Sequence, residues 1–261
     1  MTQLVRAALI TGSCGGLGFA VAESLAATGC NIMLHGLEDE DSAEPARASL
    51  AARCGVEVAY HRADLTDLSA VERLMQAMHD NFGGADIVVN NAVVRHFAAV
   101  EELPMAYWQR SLAVNLTAPL RIIQLALPGM RRRDFGRIVN LSSQYGQRGA
   151  RNRVDYATTK TAILGVTRTV ALETAGTGIT CNAVSPGTLP TLAIESRIAD
   201  LAAAKGIAHD EAVREYMKER QPSGRFVELA DVGATIAFLC GQTGRDITGA
   251  VIPVDGGWSA A

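Results

Sequence analysis

The stretch TGSCGGLG, residues 11–18, decides the fold. It follows the apolar run VRAALIT (residues 5–11) and opens onto FAVAESLAATG, whose apolar residues recur at helical spacing. Glycines at 12, 16 and 18 allow a tight turn and let backbone approach a pyrophosphate. The helix that begins there offers unpaired N–H groups and the positive end of its dipole. Strand, glycine turn and helix in that order predict a dinucleotide site. The loop lacks the GK[ST] ending of a nucleoside-triphosphate loop.

Outward from this unit, short β-branched runs alternate with longer amphipathic stretches. Strands are predicted at 31–35, 56–61, 86–90, 137–142, 179–185 and 251–255, in addition to 5–11. The fold class is therefore α/β: a single-domain Rossmann fold over residues 1–261, with a doubly wound, seven-stranded parallel sheet and helices on both faces. A hydrophobic content of 48% is enough for one large core, and no Pro/Gly-rich linker divides the chain. Between the sixth and seventh strands, residues at about 188–221 read as an alanine-rich helical insertion placed to act as a substrate lid.

A formal net charge of −3 leaves no basic footprint for nucleic acid. With no cleavage site near the start and no membrane-length apolar segment, a cytoplasmic protein without a membrane partner is expected. Cysteines 14, 30, 54, 181 and 240 are odd in number and contain no CxxC pair, so reduced, mostly buried thiols are expected, with no metal site. The sequons at Asn115 and Asn140 carry no weight without a secretion signal. The triplet Arg131–Arg133 reads as a solvated partner of a helix C-terminal dipole.

Two acidic features bear on the dinucleotide. The second strand ends in HGLEDED (35–41), where an adenosine 2′-phosphate would need a cation; NAD is favoured over NADP. The same carboxylates also suit a helix N-terminus. Asp64, in ADLTD after the third strand, is placed to accept from an adenine amino group, and Asp64 or Thr66 would equally cap the next helix.

VDYATTK (154–160) places Tyr156 and Lys160 one helical turn apart on one face. A phenol is a poor base at neutral pH; a fixed ammonium beside it favours the phenolate and makes it a usable general acid/base. Ser143, at the end of the fifth strand in NLSSQYG, is placed to donate to an oxygen on which charge develops. Asn115, polar within the otherwise apolar AVNLTAP, suits an anchored water or a helix distortion.

Taken together, TGxxxGxG at 11–18, NNA at 90–92, Asn115, Ser143, YxxxK at 156–160 and SPG at 185–187 resemble the short-chain dehydrogenase/reductase family over essentially the whole chain. The resemblance implies hydride transfer between a nicotinamide and a secondary alcohol or ketone. It makes Tyr156 the proton carrier, gives Lys160 the task of lowering its pKa and holding the ribose, has Ser143 polarise the carbonyl, and has Asn115 hold a relay water. It places the dinucleotide against Gly12, Ser13, Gly16, Leu17, Gly18, Leu37, Asp64, Leu65, Asn91, Tyr156, Lys160, Pro186, Gly187, Thr188 and Thr191. It also implies a homotetramer. Val93 departs from the pattern, standing where the family usually has glycine.

Within the family, ALETAGTGITCNAVSPG (171–187), KERQPSGRF (218–226) and VDGGW (254–258) resemble the branch acting on 3-hydroxybutyrate. By that resemblance the substrate would meet Ser143 and Tyr156 together with Arg95, Tyr145, Arg153, Arg197 and Trp258. Where the branch has Gln, His, Lys and Gln, this chain has Arg95, Tyr145, Arg153 and Arg197. Three guanidiniums suit a small anionic substrate, a hydroxy acid larger or more charged than 3-hydroxybutyrate. A solvated arginine loop or subunit salt bridges would give the same residues. An oxoacyl-carrier or sugar reductase on the same scaffold, and a dinucleotide-binding protein without catalysis, are the competing readings.

Overall fold

The computed structural model describes residues 5–218 and 220–260, apart from the side chain of Ala193. In chain order the elements are β1 (Ala7–Ile10), α1 (Gly16–Ala26), β2 (Asn31–Gly36), α2 (Glu40–Cys54), β3 (Val58–Arg62), α3 (Leu68–Phe82), β4 (Ile87–Asn90), α4 (Met105–Leu112), α5 (Ala118–Arg133), β5 (Gly136–Leu141), α6 (Val154–Glu173), β6 (Ile179–Pro186), α7 (Leu192–Lys205), α8 (His209–Met217), α9 (Leu229–Cys240) and β7 (Val251–Val254). The strands form one seven-stranded sheet in the order β3-β2-β1-β4-β5-β6-β7, every pairing parallel. All seven expected strands are present, with ends shifted by at most two residues.

Strands β1, β4, β5 and β6 are buried along their whole length, because helices cover both faces and leave no side for polar alternation. Alternate residues of β1 serve opposite cores. Ala7 and Leu9 join Leu74 and Met78 of α3, Ile122 and Ile123 of α5 and Val170 of α6. Ala8 and Ile10 join Val21 and Leu25 of α1, Leu50 of α2 and Ile236 of α9 on the other face. Strand order reverses between β1 and its neighbours β2 and β4, which opens a crevice at the carboxyl ends of the strands.

Three expectations need correction. The chain does contain a membrane-length segment by length and composition: a single helix runs from Met105 to Arg133, because AVNLT continues it as a π turn (Ala113–Thr117) instead of breaking it. Ile122, Ile123, Ala126 and Met130 of that helix pack into the core. The arginine triplet is not simply solvated. Arg133 Nε donates to Asp86 Oδ1 (2.8 Å), tying the end of α5 to the start of β4, and Arg131 Nη2 donates to Glu173 O. Finally, the helix after Asp64 is capped by Asp67, whose Oδ1 accepts from Ser69 N at 2.9 Å.

The cysteines are thiols and the 188–221 insertion is helical, as expected. The five cysteines are free, with Cys30, Cys181 and Cys240 buried and Cys14 and Cys54 half-buried. Both sequon asparagines are buried. Among the described residues, 188–221 contain α7 and α8 and no strand.

Candidate active site

The glycine loop is held open by close contacts that only glycine permits. Gly12 and Gly16 have φ of +64° and +54°, in the left-handed region. A Cβ on Gly18 would sit 2.1 Å from Gly12 O and 2.7 Å from Asn91 Nδ2. Asn91 Nδ2 in turn donates to Thr11 O and Gly12 O at 2.9 and 2.8 Å, while Thr11 Oγ1 accepts from the amides of Asn91 and Ala92. Asn91 thus fastens the loop to the end of β4. No side chain caps α1, so its first amides keep their capacity for an anion. This cradle fits a dinucleotide pyrophosphate.

His35, unremarked in the sequence, supports the loop from β2. Gly12 N donates to His35 Nδ1 at 3.0 Å, which places the ring proton on Nε2, where it is donated to Ala63 O at 3.0 Å. Burial pushes this imidazole down to about 4. Ser13 belongs to the same clamp. Its buried hydroxyl donates to Ile10 O and accepts from His35 N, so it turns away from the crevice in which a dinucleotide contact was expected; Cys14 faces the crevice instead. The reason is the tight turn itself, which buries one of the two loop side chains under β2.

At the adenosine end, Leu37, Asp64 and Leu65 line the crevice as expected, joined by Glu38. The Glu38 carboxylate folds back over Gly36, with Oε2 only 1.9 Å from where a Cβ on that glycine would lie. Burial and then the Glu38 charge push the Cys14 thiol up to about 12. Asp39, next in the acidic run, caps α2 by accepting from Ser42 N. Asp64 Oδ1 accepts from Thr66 N and Thr66 Oγ1; those bonds, the amide first, hold the carboxyl below its ordinary value and keep it ionised at the crevice.

Toward the other end, Tyr156 and Lys160 share the inner face of α6 and both line the crevice. Lys160 is buried, with Nζ donating to Leu141 O at 2.6 Å and lying 5.7 Å from the Tyr156 ring centroid. Burial, followed by the charge of Arg95, lowers its ammonium to about 8. Burial raises the Tyr156 phenol above its ordinary value; a hydrogen bond with Ser143 pulls the other way, followed by Arg95 and Arg153. Arg95 and Arg153 thus add positive charge near the phenol beside Lys160, whose Nζ is held against the end of β5. Ser143 is buried and caps a short 3₁₀ turn by accepting from Tyr145 N.

Asn115 sits in the π turn, a distortion that recurs at functional sites. Its Oδ1 accepts from Val94 N (2.9 Å), and its Nδ2 donates to Val94 O (2.8 Å) and Thr159 Oγ1 (3.1 Å). The expected helix distortion is present, and the amide bridges the loop after β4 to α6 rather than lining the crevice. A second bridge, missed in the sequence, lies beside it. Asp155 is buried and accepts through Oδ2 from Ser111 Oγ (2.6 Å) and His96 Nδ1 (2.9 Å). Burial alone would raise this carboxyl; the bonds from Ser111 and His96 bring it below its ordinary value. The only signal was an acid directly before the tyrosine.

Except for Ser13 and Asn115, every expected site residue lines one crevice of about 1080 Å³. Its far wall carries Arg95, Arg153 and Arg197 with Tyr145 and Trp258. Tyr145 stands edge-on to both Tyr156 (6.3 Å) and Trp258 (5.7 Å). The Arg153 guanidinium lies 3.1 Å from the Phe97 ring centroid and 5.8 Å from that of Tyr156; Arg197 approaches the Phe97 ring at 5.2 Å. Val93, half-exposed, also lines the crevice. Around SPG, Gly187 N donates to Val254 O at 2.9 Å, and Thr188 N donates to Oε1 of buried Gln221 at 2.8 Å. Two lining side chains hold buried polar atoms with no partner in the protein, Thr191 Oγ1 and Arg153 Nη1, as expected of groups that meet a ligand.

Known proteins match this arrangement along its length. A family profile described as enoyl-(acyl carrier protein) reductase matches residues 12–259. The chain is 41% identical over 255 residues to a D-beta-hydroxybutyrate dehydrogenase of Cupriavidus necator, covering 98% of each, and 37% identical to the enzyme of that name from Rhizobium meliloti, covering 98% and 100%. Among solved structures, L-sorbose reductase from Gluconobacter frateurii, complexed with NADPH and L-sorbose, superposes with a TM-score of 0.91 at 28% identity, covering 97% of this chain and 96% of that one. With the glycine cradle, the serine, tyrosine and lysine gathered on one crevice, the chain belongs to the short-chain dehydrogenase/reductase family, oxidoreductases that exchange alcohol and ketone with a nicotinamide dinucleotide.

Proposed function

We propose that the protein is an NAD-dependent dehydrogenase of a carboxylate-bearing secondary alcohol related to 3-hydroxybutyrate. The observation that carries this reading is the position of the Tyr156 phenol, on one crevice with Ser143 and three guanidiniums. The names of the two curated relatives agree with it.

In the oxidising direction Ser143 Oγ donates to the substrate oxygen, and Tyr156 Oη, as phenolate, accepts the alcohol proton as charge builds on that oxygen. A bound nicotinamide supplies the hydride acceptor, or the donor in reverse. Arg95 and Arg153 stabilise the phenolate electrostatically, while Lys160, locked to Leu141 O, is placed to hold the ribose. Asn115 fixes the loop after β4 against α6 and so sets the floor of the pocket. Helices α7 and α8 form the lid, bringing Thr191 and Arg197 over the cofactor and the substrate respectively.

The preference for NAD rests on Glu38, whose carboxylate folds over Gly36 at the end of β2, where a 2′-phosphate would lie; Arg110, which also lines the crevice, has Asp64 beside it as its own counter-charge. Exposed Leu120, Leu172 and Phe238 are available for association of subunits in a homotetramer, and a cytoplasmic enzyme is consistent with free cysteines. Rates of NADH formation from hydroxy acids and from their methyl esters test the central claim. The acids should exceed the esters by roughly tenfold or more in kcat/KM, the scale of one lost charged contact; equal rates would remove the carboxylate from the reading. NADP in place of NAD should lower kcat/KM by a similar factor.

A further inference from the structure

The wall facing Tyr156 carries more positive charge than one carboxylate can balance. Arg95 comes from the loop after β4, Arg153 from the start of α6 and Arg197 from α7, so three separate elements aim guanidiniums at one volume. The acids lining the crevice, Glu38 and Asp64, both belong to the adenosine end. Among the described residues, none of the three arginines forms an ion pair. Arg153 is the deepest: it is stacked on Phe97, and its Nη1 is buried without a partner. Burial, then the charge of Arg95 and more weakly that of Arg197, lowers its affinity for its own proton, while Tyr156 and Tyr145 act the other way. Arg153 is half-buried while Arg95 and Arg197 reach solvent; like charges converging on one volume favour a shared counter-ion, and bidentate pairing with carboxylate or phosphate is what a guanidinium fork supplies.

Resting on the function proposed above, we infer that the preferred substrate is a secondary alcohol with two anionic groups, a hydroxy dicarboxylate or a phosphorylated hydroxy acid, and that Arg95, Arg153 and Arg197 divide these two charges between them. One acid would fix the carbinol carbon beneath Tyr156; the second would span the pocket past Phe97. The aromatic wall of Phe97, Tyr145 and Trp258 leaves the connecting carbons an apolar surface.

The test compares kcat/KM for 3-hydroxyglutarate, its monomethyl ester, both enantiomers of 3-hydroxybutyrate, and 3-phosphoglycerate, with NAD saturating. The expected result is that at least one dianion exceeds the better 3-hydroxybutyrate enantiomer at least tenfold; 3-hydroxyglutarate leading assigns a carboxylate as the second anion, and 3-phosphoglycerate leading assigns a phosphate. If 3-hydroxyglutarate leads, its monomethyl ester should fall back toward the monoanion. In Arg153→Gln and Arg197→Gln, with unchanged circular dichroism and retained NADH binding, the ratio of dianion to monoanion should drop at least fivefold. If 3-hydroxybutyrate turns over within tenfold of both dianions or better, the inference is overturned while the proposed function stands. If no hydroxy acid turns over in a preparation that binds NADH, the proposed function fails and the inference with it.

Discussion

His35 gives a prediction whose size and sign follow from the geometry. Its Nδ1 accepts the Gly12 amide proton and its Nε2–H is donated to Ala63 O, so only the neutral ring satisfies both bonds. Burial lowers the folded value to about 4, against an ordinary imidazole near 6.5. Because the folded value is depressed, the unfolded chain takes up its proton first as the pH falls. The associated stability is complete above about pH 6.5, is lost through the interval down to about 4, and changes no further below it. The full difference corresponds to about 3 kcal/mol, and about 2 kcal/mol is already lost at about pH 5. For a chain of this size that corresponds to roughly 4–8 °C in Tm. Thermal melts at about pH 8 and about pH 5 on the wild type and His35→Gln measure it, since glutamine offers an acceptor and a donor without titrating. The drop in Tm between the two pH values should be smaller in the variant by roughly 4–8 °C. Equal drops in the two proteins would refute the assignment. NADH affinity of the wild type should weaken over the same interval, as the Gly12 turn loses its support.

Other substitutions probe other parts of the crevice. Tyr156→Phe should lower kcat by about 10²–10⁴ while NADH binding, read by fluorescence, stays within about twofold, because the phenol carries a proton and not the cofactor's main contacts. Gly18→Ala drives a Cβ to 2.1 Å from Gly12 O; a loss of about 1–3 kcal/mol and a larger fractional loss of dinucleotide affinity are expected, measured by melting and by titration. Asp155→Asn leaves Ser111 Oγ–H and His96 Nδ1–H competing for a weaker acceptor; a fall in stability of about 3 kcal/mol is expected, with lower kcat/KM as the loop bearing Arg95 loosens. Asp155 holds its proton below the ordinary carboxylate range, so its stabilisation is present above that range and disappears as pH falls through the folded value. In acid melts the wild type should therefore lose its advantage over Asp155→Asn.

The sheet, the glycine turn and the Tyr156–Lys160 pair could be read from the sequence because each is a short-range pattern: short β-branched apolar runs, a fixed glycine spacing, one helical turn. The parts that escaped depend on side-chain directions between distant segments. His35 and Ala63 are separated by 28 positions, and His96 and Asp155 by 59. No spacing rule joins them. The same limit explains two placements that spacing left open. Lys160 was correctly placed on the face of α6, but where its ammonium ends was set by Leu141 O, across the strand–helix packing. Ser13 lies in the expected loop, yet the turn points its hydroxyl beneath β2. Asn115 is intermediate: an amide in an apolar helix signalled an irregularity, and the widened turn is there.

That widened turn lets the long rod from Met105 to Arg133 hold one residue more than regular winding needs without losing the angular relation of its two halves. An ordinary helix advances about 100° per residue, and the five residues Ala113–Thr117 sweep roughly what four would sweep there. The surplus is absorbed locally, so Ser111 before the turn still meets Asp155 while Ile122 and Met130 after it still meet the core. Excising a single residue there would leave the halves nearly in phase and remove the bulge from which Asn115 reaches Val94 and Thr159. A one-codon deletion would thus spare the rod and unfasten the strap beside the reacting end of the molecule.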